Sequence, residues 1–184
     1  MRAQILKSAT AQIIKYGLRG FTLDDITAEL SISKKTLYKY FESKNELISE
    51  IIEGAVSVEK ERATEEMSKY DNWFDKLKAL LSVYSYNAIP YRVLDELNRY
   101  FPQERTKIES IGEYREQIAL SLLEEGIVKG DIAPDVSPSV VTLAFKKIFL
   151  TPTDQKILDK YDITVNRLMD QMKQLLLYGI LKRN

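Results

Sequence analysis

Residues 22 to 44 restrict the folding of this chain more than any other stretch, because three helix-start signals fall within them. Thr22 stands three residues before Asp25. That is the spacing of a capping box, in which the hydroxyl takes one free backbone N–H and the acidic side chain takes another. Leu23, Ile26 and Leu30 follow on one helix face. Ser31, Ile32 and Ser33 break the periodicity, and Ser33 is suited to cap a second helix over residues 34 to 41. Leu37 and Phe41, four apart, face a core, which leaves Lys34, Lys35, Thr36, Tyr38 and Lys39 to point elsewhere. Ser43 and Glu46 repeat the capping pair at the head of a third helix. Two short helices joined by a tight turn have the helix-turn-helix layout, whose second helix enters a major groove of DNA.

Charge follows the same segment. The whole chain of 184 residues is formally neutral. Residues 31 to 44 nevertheless hold Lys34, Lys35, Lys39 and Lys44 against Glu42 alone, a local net of +3. A small basic footprint on a neutral protein suits contact with a phosphate backbone. The chain has no cysteine, which excludes disulfides and thiolate metal sites and fits a reducing compartment. It has no histidine, which removes the commonest metal ligand and the usual general base. An enzyme is not expected, nor a metal or cofactor. Asp95 with Glu96, and Glu124 with Glu125, are sequence neighbours and read as surface residues rather than an acid–base pair. No apolar run approaches the ~18 residues of a membrane span, and no leader opens the chain, so a soluble cytoplasmic protein is expected.

The rest of the chain reads as helices. A first covers residues 2 to 16, ended by Gly17 in a left-handed cap. A long one covers 44 to 67; its charged part, residues 59 to 66, reads as an exposed link between domains. Asn72 caps the next, running towards Ala88. A short helix after Pro90 ends near Phe101, and a longer one begins near Pro102 and is ended by Gly126 and Gly130. After a turn-rich connector, Ser137 and Pro138 open a helix to Leu150. Residues 151 to 154 interrupt it, a short polar segment follows, and Asp162 or Thr164 starts a last helix to about Lys182. No strand is predicted. The fold class is all-α: an N-terminal three-helix domain with a helix-turn-helix over residues 1–45, and a C-terminal helical domain over 46–184.

The segment from residue 5 to 52 resembles the DNA-binding domain of the TetR family of bacterial transcriptional regulators. The matching residues are Ile5, Leu6 and Ala9, then Gly17, Gly20, Phe21 and Thr22. They continue with Asp25, Ile26, Ile32, Ser33, Lys34, Thr36, Leu37 and Tyr38, then Tyr40, Phe41, Ser43, Lys44, Glu46 and Leu47. The more variable C-terminal part also resembles the family, with a weaker signal. Three positions depart from the usual family pattern: Lys35 where a small residue is common, Tyr40 where histidine is common, and Ser31 at a turn position often held by glycine.

The resemblance implies that residues 34 to 41 lie in the major groove of double-stranded DNA. Lys34, Lys35 and Thr36 then reach base edges, Tyr38 and Tyr40 meet phosphates or bases, and Lys39 faces phosphate or solvent. Thr22 and Lys44 match phosphate contacts at helix N-termini. It further implies a homodimer through the two C-terminal helices, residues 139 to 150 and 164 to 182, reading a palindromic operator. An unknown small, largely apolar effector would occupy the C-terminal domain, with Trp73, Tyr84, Asn87, Tyr91, Phe101 and Tyr114 as candidate lining. Effector binding would move the long helix over 44 to 67 and relieve repression. The alternatives are an all-α ligand carrier and a protein-interaction adaptor, each with a degenerate DNA-binding head.

Overall fold

The computed structural model describes residues 1–82, 91–149 and 155–181. The described residues form ten helices: α1 (Arg2–Gly20), α2 (Leu23–Glu29), α3 (Lys34–Tyr38), α4 (Lys44–Ser68), α5 (Trp73–Ser82), α6 (Tyr91–Tyr100), α7 (Pro102–Val128), α8 (Pro138–Phe149), α9 (Gln155–Tyr161) and α10 (Val165–Gly179). No strand forms among these residues; Ile132 and Leu181 make one isolated antiparallel bridge. The fold is all-α, as the sequence predicts, and no described helix is long and apolar enough to cross a membrane.

Several boundaries differ from expectation. Gly17 does take a positive φ of 84°, but with ψ of 172° it kinks α1 instead of capping it, and one more turn follows. The second helix of the motif stops at Tyr38; Lys39 and Tyr40 form a turn. The polar segment before the last helix is itself helical, as α9, and Thr164 rather than Asp162 caps α10, which ends at Gly179. Gly126 lies inside α7. A Cβ there would stand 2.8 Å from the Trp73 ring and from Ile132, so the glycine admits the indole against the helix.

Two helix ends use one device. At the end of α2 the Ser31 N–H donates to Ala28 O and the Ile32 N–H to Thr27 O, at 3.2 and 3.0 Å, with Ser31 at φ 53°. At the end of α7 Gly130 N–H donates to Ile127 O and Asp131 N–H to Gly126 O, with Gly130 at φ 77°. Both are Schellman closures, in which a left-handed residue turns the chain back onto the last carbonyls.

The chain divides into two compact units. The first comprises Met1–Val58 and Ile89–Ser110, the second Glu59–Ala88 and Ile111–Asn184. In the first unit Ile5, Ala9, Leu18, Phe21, Ile26, Leu37, Phe41, Leu47 and Ile48 are wholly buried. Val93 and Leu97 of α6 and Ile108 of α7 join that core, and Phe101 packs against it. The second unit has its own core around Ala63, Trp73, Leu77, Leu80, Leu123 and Phe145. Residues 59 to 66 are not a bare link. Ala63 is buried, Glu59 accepts from the buried Arg115 at 2.8 Å, and the Thr64 and Tyr114 hydroxyls share a hydrogen bond of 2.6 Å.

Candidate nucleic-acid interface

The presentation of α3 starts with its caps. Thr22 Oγ1 accepts the Asp25 N–H at 3.2 Å, and Asp25 Oδ2 accepts both the Thr22 N–H at 3.0 Å and the Thr22 hydroxyl at 2.7 Å. The Thr22 hydroxyl and then its backbone N–H hold the Asp25 carboxyl below the ordinary carboxylate range. Ser33 Oγ accepts the Thr36 N–H at 3.1 Å and opens α3. Ser43 Oγ accepts the Glu46 N–H at 3.1 Å, while the Glu46 carboxylate reaches past the cap to the Glu42 N–H. The expected box thus forms at Thr22; at Ser43 only the hydroxyl half forms, because the Glu46 carboxylate takes the Glu42 N–H instead of that of Ser43.

Leu37 and Phe41 bury completely and anchor α3 to the core. Lys34, Lys35, Tyr38 and Lys39 are exposed around its outer side, Tyr38 at 50%. Thr36 is half-buried, its hydroxyl 2.9 Å from that of Ser33. Tyr40 is half-buried and packs against the core, so only part of it is available to a ligand. Lys34 Nζ is 2.7 Å from Asp24 Oδ1, and that hydrogen bond raises the Lys34 ammonium above the usual lysine range. Lys44 turns inward: its ammonium donates to Phe21 O at 2.6 Å and Arg19 O at 3.3 Å and lies 4.1 Å from the Phe21 ring centroid. Burial pushes its pKa down, with Glu96 opposing and Arg19 reinforcing the shift.

Other polar residues hold the motif in place and carry no local signal of it. Arg2 donates to Tyr40 O at 2.9 Å, pairs with Glu50 and lies over the Phe41 ring. Glu29 accepts from Ser8 at 2.8 Å and Gln12 at 3.0 Å, tying α2 to α1. Glu96, expected at the surface, is half-buried and faces α1: it accepts the Arg19 N–H at 3.2 Å. Arg92, also on α6, donates to Ile14 O at 3.2 Å. Charged side chains of this kind are assigned partners only once helices distant in sequence are packed.

The candidate effector residues are dispersed. Phe101 belongs to the first unit, packed against its core. Trp73 is buried in the second, its indole N–H donating to Asp131 Oδ2 at 2.8 Å, and Tyr114 packs against the same core. Tyr84 and Asn87 lie outside the described residues, as does the side chain of Tyr91. A cleft bounded by Leu80, Arg115, Thr142 and Phe145 has a volume of about 10 Å³, room for one water. An open groove of about 500 Å³ runs beside Trp73, Phe74 and Asp131.

A capped three-helix head with a short, lysine-bearing second helix defines a helix-turn-helix DNA-binding protein. Residues 5–51 match the family model of bacterial regulatory proteins of the tetR family. The chain is 27% identical over 147 residues to the HTH-type transcriptional repressor KstR2 of Mycobacterium tuberculosis, covering 76% of this chain and 73% of that one. Its fold is similar to the structure of KstR2, described as a ketosteroid transcriptional regulator, with a TM-score of 0.69 and 22% identity over 99% of this chain and 95% of that one. It is also similar to a TetR transcriptional regulator from Chloroflexus aurantiacus, with a TM-score of 0.78 and 17% identity over 99% and 96% of the two chains. Residues 5–51 thus carry a DNA-binding segment of the tetR family, and the chain as a whole has the fold of TetR regulators.

Proposed function

We propose that this regulator is a cytoplasmic, dimeric repressor that reads a two-fold symmetric operator and releases it when a small effector binds. The observation that carries the reading is the outer side of α3, where Lys34, Lys35, Tyr38 and Lys39 are exposed over a helix anchored by Leu37 and Phe41. Lys34, Lys35 and Thr36 contact base edges, and Tyr38 and Lys39 contact backbone phosphates. The exposed edge of Tyr40 adds a sugar or phosphate contact. Thr22 serves through the free N–H groups of the helix it caps. Lys44 acts by holding the end of α1 with its ammonium, and only its backbone faces phosphate.

Dimerisation is supported by apolar side chains left exposed on the two helices concerned. Val140 and Leu143, three apart on α8, are 65% and 51% exposed. Leu175 and Tyr178, three apart on α10, are 69% and 50% exposed. Residues three apart share a helix face, so each helix carries a contiguous apolar stripe. Pairing through these stripes would place two reading heads on half-sites about one helical turn, ~34 Å, apart. KstR2, to which the chain is similar, is a transcriptional repressor. Residues 1–45 read DNA in this scheme and the remainder dimerises and senses the effector. Trp73 and Tyr114 are its described candidate contacts, and α4, continuous from Lys44–Ser68, carries the signal. Effector coupling of ~1–3 kcal/mol is enough for release.

Selection of bound sequences from random duplex DNA by the full chain tests this reading. A palindromic consensus, with protein eluting as a dimer by size exclusion with light scattering, is expected. Recovery of no preferred sequence would remove the operator, and a monomer would remove the paired reader.

A further inference from the structure

The first turn of α2 carries two adjacent carboxylates with different partners. Asp25 closes its own helix through the capping box with Thr22. Asp24 takes no part in that cap. Its side chain is 66% exposed and reaches across the turn to the Lys34 ammonium at 2.7 Å. Lys34 is the first residue of α3, 60% exposed, on the surface that carries Lys35, Tyr38 and Lys39. A carboxylate has therefore been placed on a surface that must approach a polyanion, and it occupies the lysine at the leading end of the reading helix.

We propose that Asp24 is a specificity-determining residue, an internal restraint that withholds Lys34 from indiscriminate phosphate contact. This inference rests on the reading that α3 faces DNA. The physical case is an exchange. On random DNA, Lys34 can only trade one oxyanion for another, carboxylate for phosphate. That trade gains little, and the freed Asp24 is left beside the phosphate backbone. At the operator, Lys34 can donate to a base edge such as guanine O6 and N7 at a fixed geometry, an interaction that repays opening the pair. Discrimination arises as much from what is penalised on the wrong partner as from what is gained on the right one. Without the carboxylate, one more cation is free to neutralise phosphate at any sequence.

The experiment uses the full chain, a duplex of random sequence, and an operator duplex of the same length recovered by selection. Asp24 is exposed and Asp25 holds the helix cap, so Asp24→Asn leaves the fold intact. With Asp24→Asn, binding to the random duplex is expected to tighten, up to about fivefold for release of an exposed ion pair. Its log–log salt dependence should steepen by about 0.9, the increment for one further phosphate contact. Operator binding should gain less, so the ratio between the duplexes falls. In a Lys34→Gln background the effect of Asp24→Asn should shrink. An equal effect in both backgrounds would reduce Asp24 to general repulsion and overturn the restraint. So would loss of operator binding with random binding unchanged, which would make Asp24 a direct base reader. If Lys34→Gln alone weakens binding and Asp24→Asn changes nothing, the restraint fails while the groove assignment stands. If Lys34→Gln alters neither duplex, the groove assignment itself fails.

Discussion

The Glu96 carboxylate lies 2.7 Å from where a Cβ on Gly17 would stand, at the kink that ends the straight part of α1. Gly17 has a φ of 84°, a conformation that side-chain-bearing residues rarely adopt. The missing side chain thus permits the kink and leaves room for the Glu96 carboxylate beside it. Gly17→Ala is expected to destabilise the protein by about 1–3 kcal/mol, several degrees in melting temperature. Part of that loss is steric contact with Glu96, so Gly17→Ala and Glu96→Ala should combine with less than additive effect in thermal melts.

Ser31 occupies the left-handed position of a Schellman closure, with φ of 53°. A side chain there costs roughly 1–2 kcal/mol, and glycine removes it, though glycine also loosens the unfolded chain by about 0.4–1 kcal/mol. Ser31→Gly should therefore raise the melting temperature by a few degrees and leave DNA binding unchanged. A lower melting temperature in circular dichroism melts would count against it.

Acid should weaken the cap of α2. The Asp25 carboxyl titrates below its unfolded value of 3.8 because the Thr22 hydroxyl and N–H bind its charged form. A depressed carboxyl contributes stability that is complete above the unfolded pKa and lost as pH falls through the folded one. Asp25→Asn is expected to lower the melting temperature at neutral pH by an amount that holds steady down to about pH 5 and vanishes in stronger acid. Melting curves of both proteins from neutral to strongly acidic pH measure the gap directly.

The exposed apolar side chains of α10 give the most direct test of the proposed dimer. Leu175→Glu places a charge where Leu175 is 69% exposed, so it should fold normally as a monomer yet fail as a dimer. Light scattering is expected to show the monomer mass, with an unchanged helical spectrum and operator affinity reduced by more than about tenfold, since one head then holds only a half-site. A dimer of undiminished affinity would move the interface elsewhere.

Much of the head is legible in the sequence because its signals are local. Thr22 and Asp25, Ser33 and Thr36, and Ser43 and Glu46 meet within one helical turn, so their pairings follow from spacing alone. The burial of Leu37 and Phe41 follows from a four-residue period. The second unit is less legible. Its helices α5, α8 and α10 announce themselves as amphipathic segments, but α9 does not, because a seven-residue polar helix shows almost no period. Gly126 has the look of a helix terminator, and nothing near it in the chain reveals that Trp73 lies over it.

Taken by itself, the sequence determined the helical class, the N-caps at Thr22, Ser33 and Ser43 and which face of α3 turns outward, because each depends on residues a few positions apart. Tertiary structure alone decided the partners of the charged residues. Lys44 and Arg2 serve the head's own carbonyls, Glu96 and Arg92 bring α6 onto α1, and Phe101 packs with the first unit. A charge or an aromatic ring carries no mark of its partner. Its role is set by which distant surface the packed helices bring within about 3 to 5 Å, and only the folded chain defines that surface.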